Sequence, residues 1–138
     1  MAYLVGFVLA LAVSIFATLI GLDRDRAFYP TVLAVIASYY ALFATMAGSV
    51  RPLLIESSVV ALFLAATALG YRRNLWLIVA GLLAHGIFDF VHGRLIANPG
   101  VPAWWPMFCL TYDVTAAAYL AWLLASRRPG FAVEKHAD

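Results

Sequence analysis

The residues best able to do chemistry share one apolar stretch. His85, Asp89 and His92 stand at offsets of four and seven residues. At 100° per residue these offsets close to within about 40° on one helix face, giving a ladder of side chains about 10 Å tall. Glu56 and Asp113 fall at similar depth in two neighbouring apolar stretches, and Tyr39 and Tyr40 near the middle of a third. Carboxylates and imidazoles together suit a divalent transition metal: imidazole takes zinc, iron or copper, while carboxylate neutralises charge and orients the rings. The expected ligands are therefore His85, Asp89, His92, Asp113 and Glu56. A zinc-like ion would use some of them and keep a position for water. In a hydrolytic version the ion acidifies that water, Asp113 or Glu56 acts as general base, and Tyr112 or Tyr40 gives a proton to the leaving group.

Three plainer features compete with that picture. Cys109, one turn from Asp113, adds a softer donor, but a free Cys on an apolar helix usually behaves as a small hydrophobe. His85 and Asp89 can bond each other across one turn, and Arg51 and Arg94 could pair with Glu56 and Asp89 in purely structural ion pairs. A proton relay or a polar-substrate pocket without metal would use the same groups. The His-x3-Asp-x2-His spacing is less specific than a helical His-Glu-x-x-His.

The elements that must position these groups follow from composition. Of 138 residues, 65% are apolar or aromatic and 12% charged, against roughly 45–50% and 25% for a soluble domain. Mean hydropathy is +0.93. Such a chain has too little polar surface to cover a globule in water, so the lipid bilayer is its expected solvent and partner. The nine basic residues are scattered, which excludes the clustered cationic face needed for nucleic acid, and one cysteine excludes an intrachain disulfide.

A hydrocarbon layer about 30 Å thick needs about 20 apolar residues, and the chain supplies that length at residues 3–22, 27–48, 52–70, 75–97 and 105–126. The expectation is an all-α, polytopic membrane domain over 1–126, a five-transmembrane-helix bundle with short loops, followed by a tail at 127–138. Alternate counting puts Arg24, Arg26, Arg72, Arg73, Arg127, Arg128 and Lys135 on one side and only Arg51 and Arg94 on the other. The positive-inside rule then sets the N-terminus outside and the tail in the cytoplasm, with the polar residues nearer the outer face. Tyr3, Trp104 and Trp105 fall at the outer interface in that frame.

Without a hydrophobic force between helices in lipid, small residues must form the seams. Gly6, Ala10, Ser14 and Thr18 make one such strip, and Ala37, Ala41, Ala44 and Gly48 a second. Strips of this kind serve bundles and oligomers alike, so a homo-oligomer or a larger membrane complex stays open. The inner half offers only hydroxyls, Ser14, Thr18, Thr31, Thr67 and Thr115, which commonly satisfy themselves on backbone carbonyls. A polar site closed on one side reads as a metal-dependent membrane-embedded enzyme, a hydrolase or an oxidoreductase. The alternatives are a metal-ion or proton-coupled transporter completed by oligomerisation, and a non-catalytic accessory subunit whose polar cluster locks helix register.

Overall fold

The structure is a computed structural model and describes residues 1–126; the expected tail, with Arg127, Arg128, Lys135 and His136, lies outside the described residues. Five helices account for nearly all of it: α1 (Ala2–Ile20), α2 (Phe28–Met46), α3 (Val50–Arg72), α4 (Trp76–Leu95) and α5 (Trp105–Ala125), with no strand among the described residues. Each is long and apolar enough to cross a bilayer, so the chain is a five-helix membrane bundle. Large apolar side chains such as Leu4, Phe16, Leu62, Ile87 and Phe90 lie exposed on its outer surface, where lipid rather than water would meet them.

Helix ends depart from the apolar runs by a residue or two for local reasons. Gly48 carries φ 63° and turns the chain left-handed, so α2 stops at Met46. The start of α3 precedes Pro52, whose missing N–H costs nothing in a first turn that has no upstream carbonyl to use. Gly21, at φ 80°, ends α1 and returns its N–H to Thr18 and Ala17. A short 3-10 turn, Leu22–Arg24, follows and folds Asp23 back under the bundle.

Packing runs α1 on α5, α5 on α4, α4 on α3 and α3 on α2, with α2 also touching α4. The consecutive helices α1 and α2 share little contact along their length. Leu33, Ile78, Leu82, Leu120 and Leu123 fill the centre completely buried. The expected strip on α1 is the α5 contact: Gly6, Ala10 and Ser14 are buried, joined by Ala17, while Thr18 sits at the edge and bonds instead. On α2, Ala37 and Ala44 are buried, whereas Gly48 is exposed and belongs to the turn.

Gly6 is the tightest point of the α1–α5 seam, because a Cβ there would overlap the Phe108 carbonyl and the Thr111 hydroxyl. Gly6→Val should therefore force the helices apart at about 1–3 kcal/mol, read as a lower thermal midpoint in detergent. Gly93→Ala, where a Cβ meets open space, should leave the midpoint unchanged; equal behaviour of the two variants would contradict this packing.

Candidate functional site

All five ionisable groups named from the sequence are buried, Glu56, His85, Asp89, His92 and Asp113 each exposing 2% or less. The α4 ladder forms as its spacing requires, and α3 and α5 bring their carboxylates to it from either side. The groups divide into two cells. In the first, His85 Nδ1 lies 2.7 Å from Asp113 Oδ2 and 3.3 Å from Asp89 Oδ2. These three residues offer ligand atoms within 4.8 Å of one another, a geometry that could hold a metal ion. In the second cell, one turn further along α4, His92 Nε2 donates to Glu56 Oε1 at 2.7 Å. Glu56 and His92 thus sit together and outside the His85/Asp89/Asp113 group.

Tyr40 joins the cells. Its hydroxyl donates to Asp89 Oδ1 at 2.6 Å, and its ring stacks on His92 with centroids 3.9 Å apart and planes 14° apart. Phe63 meets the His85 ring edge-on, and Phe88 meets His92 at 84°, so apolar walls exclude water around both imidazoles. Arg51 and Arg94 are exposed, and the ion pairs to the buried acids among the described residues all come from His85 and His92. Glu56 and Asp89 therefore take histidine and tyrosine partners rather than the two arginines.

With all three carboxylates ionised, the charge is unbalanced even when both imidazoles are protonated. Three carboxylates face two imidazoles, and an ionised carboxylate without a counter-charge costs several kcal/mol in hydrocarbon. The polar atoms are also incompletely satisfied: Glu56 Oε2, Asp89 Oδ2 and Asp113 Oδ1 are buried without a hydrogen-bond partner. Asp113 Oδ1, and Asp89 Oδ2 with only its 3.3 Å ion-pair contact to His85 Nδ1, belong to the first cell, where the ligand atoms converge. The arrangement can receive a further cation, either a proton or a metal ion.

Tyr112 and Cys109, also singled out on α5, lie beside the cell rather than in it. Both line an apolar cleft together with Tyr39, and Cys109 packs within the hydrophobic core. Asn98, in the connector after α4, is a component that the helical spacing of the ladder does not point to. Buried in the α4–α5 loop, it donates through Nδ2 to Tyr40 O at 2.9 Å and to Glu56 Oε1 at 3.1 Å, closing the second cell. Its loop is pressed onto the end of α2, since Gly100 has no room for a Cβ against the Phe43 carbonyl. The available signal was an Asn at the end of the very helix that carries the ladder.

A second polar layer lies at the opposite end of the bundle. The Thr18 hydroxyl donates to Asp23 Oδ2 at 2.5 Å and accepts from the Tyr119 hydroxyl at 3.0 Å. Asp23 is 3% exposed, and Tyr29 is buried nearby with its hydroxyl beside Ser14. This corrects the expectation that inner hydroxyls satisfy themselves on the backbone: Thr115 does, on Thr111 O, but Thr18 does not. The left-handed turn at Gly21 is the cause, because it carries a carboxylate back into the helix ends.

Removing one tie between the cells should register as lost stability. Tyr40→Phe keeps the ring on His92 but leaves Asp89 Oδ1 bare, at about 1.5–3 kcal/mol for a bond to a charged group, so its thermal midpoint should fall. An unchanged midpoint would mean that Asp89 is held by other contacts. No family model, curated protein or solved structure matches the chain, so a functional reading stands on this geometry.

Proposed function

We propose that the protein is a metal-dependent membrane enzyme whose divalent transition metal, zinc, iron or copper, is held by His85, Asp89 and Asp113. The observation that carries this reading is the convergence of one imidazole nitrogen and two carboxylates, each with an oxygen that no hydrogen bond engages, in a water-excluded interior. The three ligand atoms lie within 4.8 Å of one another, with His85 Nδ1 2.7 and 3.3 Å from the two carboxylates, close enough for one ion to be shared among them. The cation also supplies the counter-charge that the side chains lack. When bound, it would contribute Lewis acidity and a nucleophilic water at neutral pH.

The chain's own residues would then divide the remaining work. Tyr40 fixes the Asp89 carboxylate and is the candidate proton donor on that side. Glu56, with Oε2 free and Oε1 held by His92 and Asn98, is the candidate general base. In this reading His92 orients Glu56 instead of ligating, and Asp113 ligates instead of acting as base. The Arg24, Arg26, Arg72 and Arg73 end faces the cytoplasm by the positive-inside rule, which puts the metal group toward the other face.

Elemental analysis tests the assignment. Protein purified without chelator should carry about one transition-metal ion per chain, and His85→Gln or Asp113→Asn should lose it. Tyr40→Phe should weaken it 10- to 100-fold, the usual effect of losing a bond that orients a ligand. Metal-free wild-type protein that takes up none of zinc, iron or copper on titration would overturn the reading.

The layer of Asp23, Thr18, Tyr119 and Tyr29 favours a second reading, proton-coupled or metal-ion transport, because buried polar groups then occur at both ends of the bundle. Liposome flux separates the two. As an enzyme, the purified protein should move neither protons nor zinc along a gradient; flux abolished by both Asp89→Asn and Asp23→Asn would establish transport instead.

A further inference from the structure

Where α1 and α2 fail to pack, a cleft of about 310 Å³ opens sideways onto the lipid-facing surface. Its α2 wall extends from Phe28 to Tyr39, about 16 Å of helix at 1.5 Å per residue. Leu9 borders it on α1, and Trp105, Cys109 and Tyr112 of α5 form its floor. We propose that this cleft binds a single acyl chain lying along the helix axes, and that acyl amphiphiles are the substrate class of the adjoining His85/Asp89/Asp113 site. The second half rests on the metal-enzyme reading; the first does not.

Shape, chemistry and position support the acyl chain in turn. A transmembrane helix from a second copy would occupy a cylinder about 10 Å wide, on the order of 1,200 Å³ over the same length, several times the space available. Water has little to hold it against a mostly apolar lining. An empty cleft would forfeit the dispersion contacts of its walls. A slender apolar chain drawn from the surrounding bilayer meets all three conditions, and the volume lies at the lower end of the roughly 300–1,000 Å³ usual for small-molecule sites.

The polar features of the cleft are placed for the head of such a molecule. Trp105 lines the cleft, and its Nε1–H is buried beside it without a hydrogen-bond partner; a small turn of the ring would offer that donor to a carboxylate, ester or amide oxygen. Tyr39 on the α2 wall and Tyr112 on the α5 floor add hydroxyls. The floor is shared with the metal group: Cys109 lies one helical turn from Asp113, and both Cys109 and Tyr112 are within electrostatic reach of its carboxylate. One face of α5 therefore touches the chain while the next presents Asp113 to His85.

Fluorescence quenching gives the test. A Trp76→Phe, Trp104→Phe, Trp122→Phe variant keeps Trp105 as the reporter and is reconstituted in phosphatidylcholine vesicles. Titration with 9,10-dibromostearic acid should quench Trp105 saturably, and excess oleate should restore the emission. Adding Leu9→Phe and Val35→Phe, which narrow the cleft at half-exposed positions, should weaken the apparent affinity at least tenfold. Quenching that rises only linearly with bromolipid, unrelieved by oleate, would overturn the proposal without recourse to the narrowed variant. Repeating the titration on His85→Gln separates the two readings. Saturable quenching in the Trp105 reporter, together with a wild-type protein that binds no metal, would leave the chain site standing and remove the metal reading. A bound metal with linear quenching would do the reverse.

Discussion

Three carboxylates buried in a hydrocarbon-facing bundle with two imidazoles for company form the constraint around which the rest of this structure is organised. Each such group must find partners within the protein, because lipid supplies none. That requirement accounts for features that packing alone would not ask for. A tyrosine is placed where its hydroxyl reaches one acid and its ring covers an imidazole. An asparagine is carried inward by a loop, and two phenylalanines are turned edge-on against the histidines. With all three acids ionised, two imidazoles still leave one negative charge over, and the carboxylate oxygens without hydrogen bonds are where a further cation would be received.

Much of this was legible in the sequence, for reasons that can be named. The five spans were readable because length and hydropathy are nearly sufficient conditions for a membrane helix. The inward turn of Glu56, His85, Asp89, His92 and Asp113 was readable because exposing any of them to lipid is costly. The ladder on α4 needed only helical periodicity. What periodicity does not contain is the rotation of α3 and α5 about their own axes relative to α4. That rotation sends Asp113 to His85 and Glu56 to His92, so one expected cluster becomes two cells linked by Tyr40.

Asn98 and Asp23 illustrate the other limit. Both stand in connectors, where polar residues are the norm and carry no signal of burial. Their inward placement depends on backbone turns: Gly21 with its positive φ for Asp23, and for Asn98 a loop held tightly on α2 at Gly100. Loop residues next to a buried ionisable cluster are thus where a reading from periodicity is blindest. They are also where a bundle most easily finds extra partners, since a connector can bend to reach a group that a rigid helix cannot.

The same topology that builds the site leaves a seam open. Five helices joined by short connectors would most simply pack in sequence order, yet α1 lies on α5 and leaves α2 with α3 and α4. Gly6, Ala10 and Ser14 commit α1 to α5 through backbone proximity, which bulky residues on α2 could not match. Tyr39, Phe43 and Trp105 then hold α2 away from α5 through ring contacts. The resulting gap is a consequence of side-chain size, small on one interface and aromatic on the other. It places an apolar opening on the lipid side of α5 and an acid on the protein side of the same helix. A buried polar group approached from the bilayer rather than from water needs that pairing: access for hydrocarbon, and a wall that keeps the charge dry.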